Sequence, residues 1–319
     1  MCRLFGICYG EDQQERVPTS FIAASLFANL TRKGPHAFGW FTSDGDNLWT
    51  QKHFGRADTA AATDIVLEGA IPDDMPDESK MKFFIGHTRW ATTGDPANMK
   101  NNHPVSHSNI TGVHNGKVYN FEDILGITGR EDDESEVDSE AIFAAVNKWG
   151  PVKGLRRLKT DMVSVWTDLR ALDTIWLARS ENRPIVIGWT DRGNIIFASE
   201  EQALEALWPH VRFVRTSKVN AYRLLKIKGG EIRSRRTYVE ETRRSGVGTT
   251  ASTGQRAPGL AIPGARPAPA QVGFSDSDWQ STALDRLLIL RDQHAKDRDD
   301  FMSDRQQDRA RARGAAAFD

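Results

Sequence analysis

Met1-Cys2-Arg3-Leu4-Phe5-Gly6-Ile7-Cys8-Tyr9 opens the chain, and the reading of this stretch governs the reading of everything after it. Removal of the initiator methionine would leave Cys2 with a thiol and a free α-amine on one residue, a nucleophile beside a base. A thiol attacks as thiolate, and an amine with an unperturbed pKa of ~7.7–8.0 can take its proton near neutral pH. By itself, a cysteine at position 2 is more often a small buried hydrophobe than a nucleophile. From Arg3 to Tyr9 the run reads as a short buried strand, which puts the candidate nucleophile at the strand's end. Cys8 lies on the same strand about 20 Å from Cys2 at ~3.3 Å per residue. A disulfide tolerates a Cα separation of only ~7 Å, so two free thiols in a reducing compartment are expected.

Outward from this start, Ile22, Leu26 and Leu30 recur at helical spacing, with Thr19 or Ser20 as cap and Gly34-Pro35 as stop. Residues 55–82 are rich in Ala, Asp and Pro and read as a surface excursion without chemistry. A buried strand opens at Phe83-Phe84-Ile85. Asp138 or Ser139 caps a helix through Ile142, Phe143 and Val146 that ends at Gly150-Pro151. Strands are expected over 162–166, 174–178, 184–188 and 194–198, a helix over 201–208, and strands near 211–214 and 221–226. This order implies an α+β fold of two packed sheets with helices outside them, occupying residues 1–244. Residues 245–274, rich in Gly, Pro, Ala and Ser, read as a flexible linker. Residues 275–319 read as a charged helical tail in which Leu284, Leu287, Leu288 and Ala295 share a face.

A formal net charge of −1, from 42 basic and 43 acidic side chains, supplies no global field for nucleic acid. No apolar run approaches the ~20 residues that span a bilayer, and the polar start lacks the core of a secretion signal. A cytoplasmic protein without membrane contact is expected. No Walker loop or dinucleotide fingerprint occurs, and no cofactor is expected. His103 and His107 stand four apart, but Pro104 disfavours a helix there, so they read as hydrogen-bonded loop histidines and not as metal ligands. The basic residues at 226–228 and 233–236 suit a solvated strand edge.

Three stretches carry candidate chemistry. Gly86-His87-Thr88-Arg89-Trp90-Ala91-Thr92-Thr93-Gly94 sets one arginine among small and polar residues. A guanidinium fork suits a carboxylate, with a structural salt bridge as the plain alternative. His114-Asn115-Gly116 reads alone as a hairpin turn, yet an asparagine amide and a glycine N–H can also converge as an oxyanion hole. Asp138-Ser139-Glu140 reads as a helix cap or as a carboxylate that grips an ammonium group.

Taken together and in this order, the start at Cys2 to Gly6, the Gly86 to Gly94 stretch, Asn102-His103-Pro104-Val105, His114-Asn115-Gly116, Asp138-Ser139-Glu140, the run from Ala178-Arg179 to Gly188, and Phe197-Ala198-Ser199-Glu200 resemble the glutaminase domain of class II glutamine amidotransferases. These are N-terminal nucleophile hydrolases, and the Cys-Arg-Leu-Phe-Gly start is more similar to their stand-alone members. The resemblance covers residues 2–240 and implies a four-layer αββα sandwich of two mainly antiparallel sheets. It implies Cys2 as nucleophile, its amine as base through a water, and Asn115 with Gly116 as oxyanion hole. Arg89 would bind the α-carboxylate of L-glutamine and Asp138 the α-ammonium, with Trp90, Thr92 and His114 beside the substrate. The implied products are ammonia and, through a γ-glutamyl thioester, glutamate. The ammonia would pass to a separate ATP-dependent synthetase or ligase, docked by residues 275–319; homo-oligomerisation stays open. The alternatives are a stand-alone hydrolase of another γ-glutamyl amide and a non-catalytic scaffold on the same fold. Arg3 stands where the family often has glycine, Lys33-Gly34-Pro35-His36 replaces an Arg-Gly-Pro-Asp turn, and Thr93 stands where some sugar-amidating members have histidine.

Overall fold

The computed structural model describes residues 2–11, 18–74, 78–131 and 136–239. The chain divides into two units, Met1–Glu241 and Thr242–Asp319, and every described residue belongs to the first. The linker and tail expected over 245–319 lie outside the described residues.

In chain order the elements are β1 (Arg3–Cys8), α1 (Thr19–Leu30), β2 (Ala37–Ser43), β3 (Leu48–Phe54), α2 (Ala60–Gly69), β4 (Phe83–Arg89), β5 (Val105–His107), β6 (Ile110–Val118) and α3 (Phe121–Thr128). There follow α4 (Glu140–Trp149), α5 (Pro151–Arg157), β7 (Thr160–Asp168), β8 (Thr174–Arg179), β9 (Val186–Thr190), β10 (Ile195–Ala198), α6 (Glu201–Glu205), β11 (Phe213–Lys218), β12 (Arg223–Lys228) and β13 (Glu231–Thr237). A seven-stranded sheet runs β11-β9-β10-β1-β4-β2-β3, and a six-stranded sheet runs β13-β12-β8-β7-β6-β5. Neighbours in both are antiparallel.

Side-chain alternation along each strand sorts residues between a layer shared by the sheets and two outer layers. Leu4 and Cys8 of β1, Phe83 and Ile85 of β4, Val113 of β6, Val163 and Val165 of β7 and Phe197 of β10 fill the shared layer. Their alternates face outward: Phe5 meets Phe27 of α1 edge-on at 4.8 Å, and Phe27 also packs on Phe38 and Trp40 of β2. On the other side Ile142, Phe143 and Val146 of α4 and Leu155 of α5 cover Ile110, Met162 and Trp166 of the six-stranded sheet. Each such side chain contributes about 1.5–3 kcal/mol by leaving water. The result is the αββα sandwich expected from the element order.

Local readings depart from the structure where side-chain bonding prevails over pattern. Asn115-Gly116 is no hairpin turn; it lies within β6, paired with Val163 and Met162 of β7. Residues 55–82 hold more than a surface excursion, because Thr59 caps α2 by accepting the Ala62 N–H at 3.2 Å. The α1 helix starts after Pro18 without a side-chain cap, and the Thr19 hydroxyl meets that of Tyr9 instead. Ser139 occupies the cap position of α4 but makes no capping bond. The expected 201–208 helix is shorter, ending at Glu205. β2 and β3 were not anticipated; the all-buried β2 offers no alternation to read, and β3 is an edge strand whose residues are half-buried or exposed without alternation.

Candidate active site

At one rim the shared layer changes from apolar to polar. Along β4, alternation carries the inward face from Phe83 and Ile85 to His87 and Arg89. Along β6 it carries the face from Val113 to Asn115, and along β1 from Cys8 and Leu4 toward Cys2, one residue ahead of the strand. Asp138 approaches from the turn before α4. Both Arg89 and Asp138 act electrostatically on the Cys2 thiol, so nucleophile, cation and anion share one site.

The Cys2 Sγ accepts the Trp90 N–H at 3.3 Å and donates to the Trp90 carbonyl at 3.6 Å. Burial pushes the thiol pKa up, and the Trp90 N–H bond and the Arg89 charge only partly offset this. Such a thiol needs a base at hand to become a nucleophile. Trp90 is 42% exposed and Thr92 is exposed, both on the loop that follows β4.

Arg89 is buried, with its guanidinium engaged by the protein. Nη1 donates to Asn102 Oδ1 at 2.8 Å, and Nη2 donates to the carbonyls of Thr93 at 2.6 Å and Gly94 at 3.0 Å. Both planar forks of a guanidinium run through Nη2. A carboxylate held bidentately would therefore displace one of these loop carbonyls, which couples the 90–94 loop to a ligand bound in this way.

Asn115 is buried, and its side-chain amide takes no hydrogen bond among the described residues. Gly116 has φ +147, and a Cβ there would stand 2.0 Å from the Asp161 carbonyl oxygen. Only glycine fits this backbone against β7. Asp138 accepts the Val118 N–H through Oδ2 at 2.6 Å, and its Oδ1 lies 3.9 Å from His114 Nδ1.

Beneath these groups lies a buried cluster of His87, His103 and His114, residues that the motifs name singly and that only the fold brings together. His87 Nε2 donates to the His114 carbonyl at 3.0 Å, tying β4 to β6 across the two sheets. The Ser139 hydroxyl bridges His103 Nε2 and His114 Nδ1, both at 3.0 Å. The His87 and His103 ring centroids are 4.1 Å apart. Burial lowers all three pKa values, that of His87 to about 3, so the cluster is neutral. The sequence signal for His87 was its position two before Arg89, on the same strand face. His103 and His107 are hydrogen-bonded as expected, the latter to Glu140 at 3.1 Å, but His107 closes strand β5 and is not a loop residue. Among the described residues, no group of three or more His, Cys, Asp or Glu side chains is arranged to hold a metal ion. No helix among them is long and apolar enough to cross a membrane.

Residues 59–251 match the family described as glutamine amidotransferase domain. The glutamine–fructose-6-phosphate aminotransferase of Bacillus licheniformis is 27% identical over 259 residues, covering 76% of this chain and 40% of that protein. The same enzyme of Staphylococcus aureus is 31% identical over 175 residues, 49% of this chain and 28% of that protein. Among solved structures, the glutamine phosphoribosylpyrophosphate amidotransferase of B. subtilis superposes with a TM-score of 0.55 at 21% identity, covering 74% of this chain and 49% of that one. This chain thus spans less than half the length of these relatives. The family match extends over more than half of the chain, and the solved structure shares its two-sheet architecture. The chain therefore belongs to the glutamine amidotransferase domain family, in its class II, N-terminal nucleophile hydrolase form.

Proposed function

We propose that this domain hydrolyses the side-chain amide of L-glutamine through Cys2 and releases ammonia for an acceptor-activating partner. The observation that carries the proposal is the grouping of a thiol, a buried arginine and a carboxylate at one rim, beside an uncommitted asparagine amide. A glutamine head group is a zwitterion that asks for one cation and one anion, which Arg89 and Asp138 supply. Its reacting amide asks for a nucleophile and oxyanion donors, which Cys2, the Asn115 amide and the Gly116 N–H supply.

In this mechanism the α-amine of Cys2, freed by loss of Met1, takes the thiol proton through a water. The sulfur attacks the amide carbon, and the C=O electron pair moves onto oxygen, where Asn115 and Gly116 donate to it. Collapse re-forms the carbonyl, the C–N bond breaks, and the protonated amine gives its proton to the leaving nitrogen as ammonia departs. Water then attacks the γ-glutamyl thioester, the amine again taking the proton; the C–S bond breaks, and glutamate leaves with the thiol restored. Trp90 and Thr92 border the substrate, whereas His114, expected beside it, lies buried on the opposite face of β6 from Asn115 and bonds Ser139.

The relatives' sugar phosphate is not carried over to this chain, which matches less than half of their length and has Thr93 in place of the histidine of some sugar-amidating members. The ammonia acceptor belongs to a separate ATP-dependent synthetase or ligase. The test is steady-state release of glutamate and ammonia from glutamine, with and without Cys2→Ala. Turnover by wild type alone that Cys2→Ala abolishes supports the proposal. Inertness toward glutamine combined with cleavage of bulkier γ-glutamyl amides would transfer the same site to the alternative hydrolase.

A further inference from the structure

We propose that Arg3, held by Glu200, is a positioning residue for Cys2, an inference that rests on the reading of Cys2 as nucleophile. Nη1 of Arg3 donates to the Cys2 carbonyl oxygen at 2.8 Å, and its Nε donates to Glu200 Oε1 at 2.5 Å. Lys33 Nζ reaches the same carboxylate oxygen at 2.6 Å. Ser199, the neighbour of Glu200, grips the next residue of β1. Its Oγ accepts the Leu4 N–H at 3.0 Å, and its own N–H and hydroxyl donate to the Leu4 carbonyl at 2.9 and 3.1 Å. The corner between β10 and α6 thus fixes residues 2, 3 and 4 in succession.

Two departures from the family pattern, Arg3 after the cysteine and Lys33 at the head of the Lys33-Gly34-Pro35-His36 turn, therefore meet on one carboxylate. The same turn supports the loop on the sulfur side. His36 Nδ1 accepts the Ala91 N–H at 3.0 Å, and the His36 N–H donates to the Arg89 carbonyl at 3.1 Å. Cys2 is held at its carbonyl by Arg3 and at its sulfur by the loop that this turn braces.

A residue freed at its amino side has one flanking peptide to orient it instead of two. A charge-assisted bond on its carbonyl restrains the swing that would carry thiol and amine away together. The Arg3 and Glu200 side chains are only 11% and 22% exposed, so losing either leaves the other charge poorly solvated. Lys33, 54% exposed, contributes less.

The test uses the full chain, with loss of Met1 verified by intact mass and folding by thermal melting. Arg3→Gln and Glu200→Gln are each expected to lower kcat about 10- to 100-fold while KM stays within about threefold. The double variant should fall no further than the worse single, because the two side chains act as one unit. Arg3→Lys should recover part of the loss, and Lys33→Gln should lose less than either. Alkylation of Cys2 by iodoacetamide, followed by peptide mass, should run at least about threefold faster in Arg3→Gln as the sulfur leaves Trp90. Wild-type kcat and wild-type alkylation in Arg3→Gln would overturn the proposal, as would losses that multiply in the double variant. If Arg3→Gln does not fold, Glu200→Gln and Arg3→Lys decide the question by the same readouts. Should wild type itself release no glutamate, the glutaminase reading falls, and the alkylation rates alone decide whether Arg3 holds Cys2.

Discussion

Cys2, Asn115 and Gly116 each ask something different of the fold. Cys2 needs a base, because burial raises its thiol pKa beyond what Trp90 and Arg89 restore. Asn115 needs to be uncommitted, and its amide makes no hydrogen bond among the described residues. Asn115→Ala should lower kcat for glutamine about 10²- to 10³-fold with little change in KM, measured by steady-state glutamate release. Gly116 needs an absent Cβ: φ is +147 and Asp161 O would lie 2.0 Å from the added atom. Gly116→Ala should therefore cost about 2 kcal/mol or more of stability, seen as a lowered urea midpoint, before any effect on catalysis is counted.

The 90–94 loop behaves as an extension of β4 through Arg89, whose Nη2 holds the Thr93 and Gly94 carbonyls. Arg89→Lys keeps the charge but cannot reach two carbonyls and Asn102 in one plane. It should raise KM for glutamine about tenfold and speed amide exchange across residues 90–94 in the free protein, measured by hydrogen–deuterium exchange. What could be read in advance divides along physical lines. The buried strands after residue 160 were legible to within a few residues, because apolar runs between turn residues mark them. Each motif was ambiguous alone, since Asn-Gly serves a turn or an oxyanion hole, and the register of β6 on β7, which removes the turn, depends on residues about fifty positions away. Contacts between distant residues were not legible. Nothing local in Ser139 announces two histidines, and nothing in Arg3, Lys33 and Glu200 announces one ion cluster, because each partner comes from a different element.

The two sheets meet over an apolar layer at one end and over buried neutral histidines at the other, and this division sets how the whole domain responds to acid. Burial depresses the folded pKa of His87, His103 and His114, with His87 at about 3, against an unfolded value of ~6.5. Between those values the unfolded chain binds protons that the folded chain refuses. Stability is therefore fully retained above pH ~6.5 and declines as pH falls toward about 3. Urea midpoints should drop between pH 7.5 and pH 5, and His87→Gln should flatten that dependence. The central claim, that the freed Cys2 is the nucleophile of a glutamine-hydrolysing site, is tested most directly by exposing the folded protein to an electrophilic glutamine analogue and measuring the N-terminal peptide mass. The account predicts a peptide lacking Met1, with one adduct on Cys2 that excess glutamine suppresses. Retained Met1, or a folded protein with an unmodified Cys2, would contradict it.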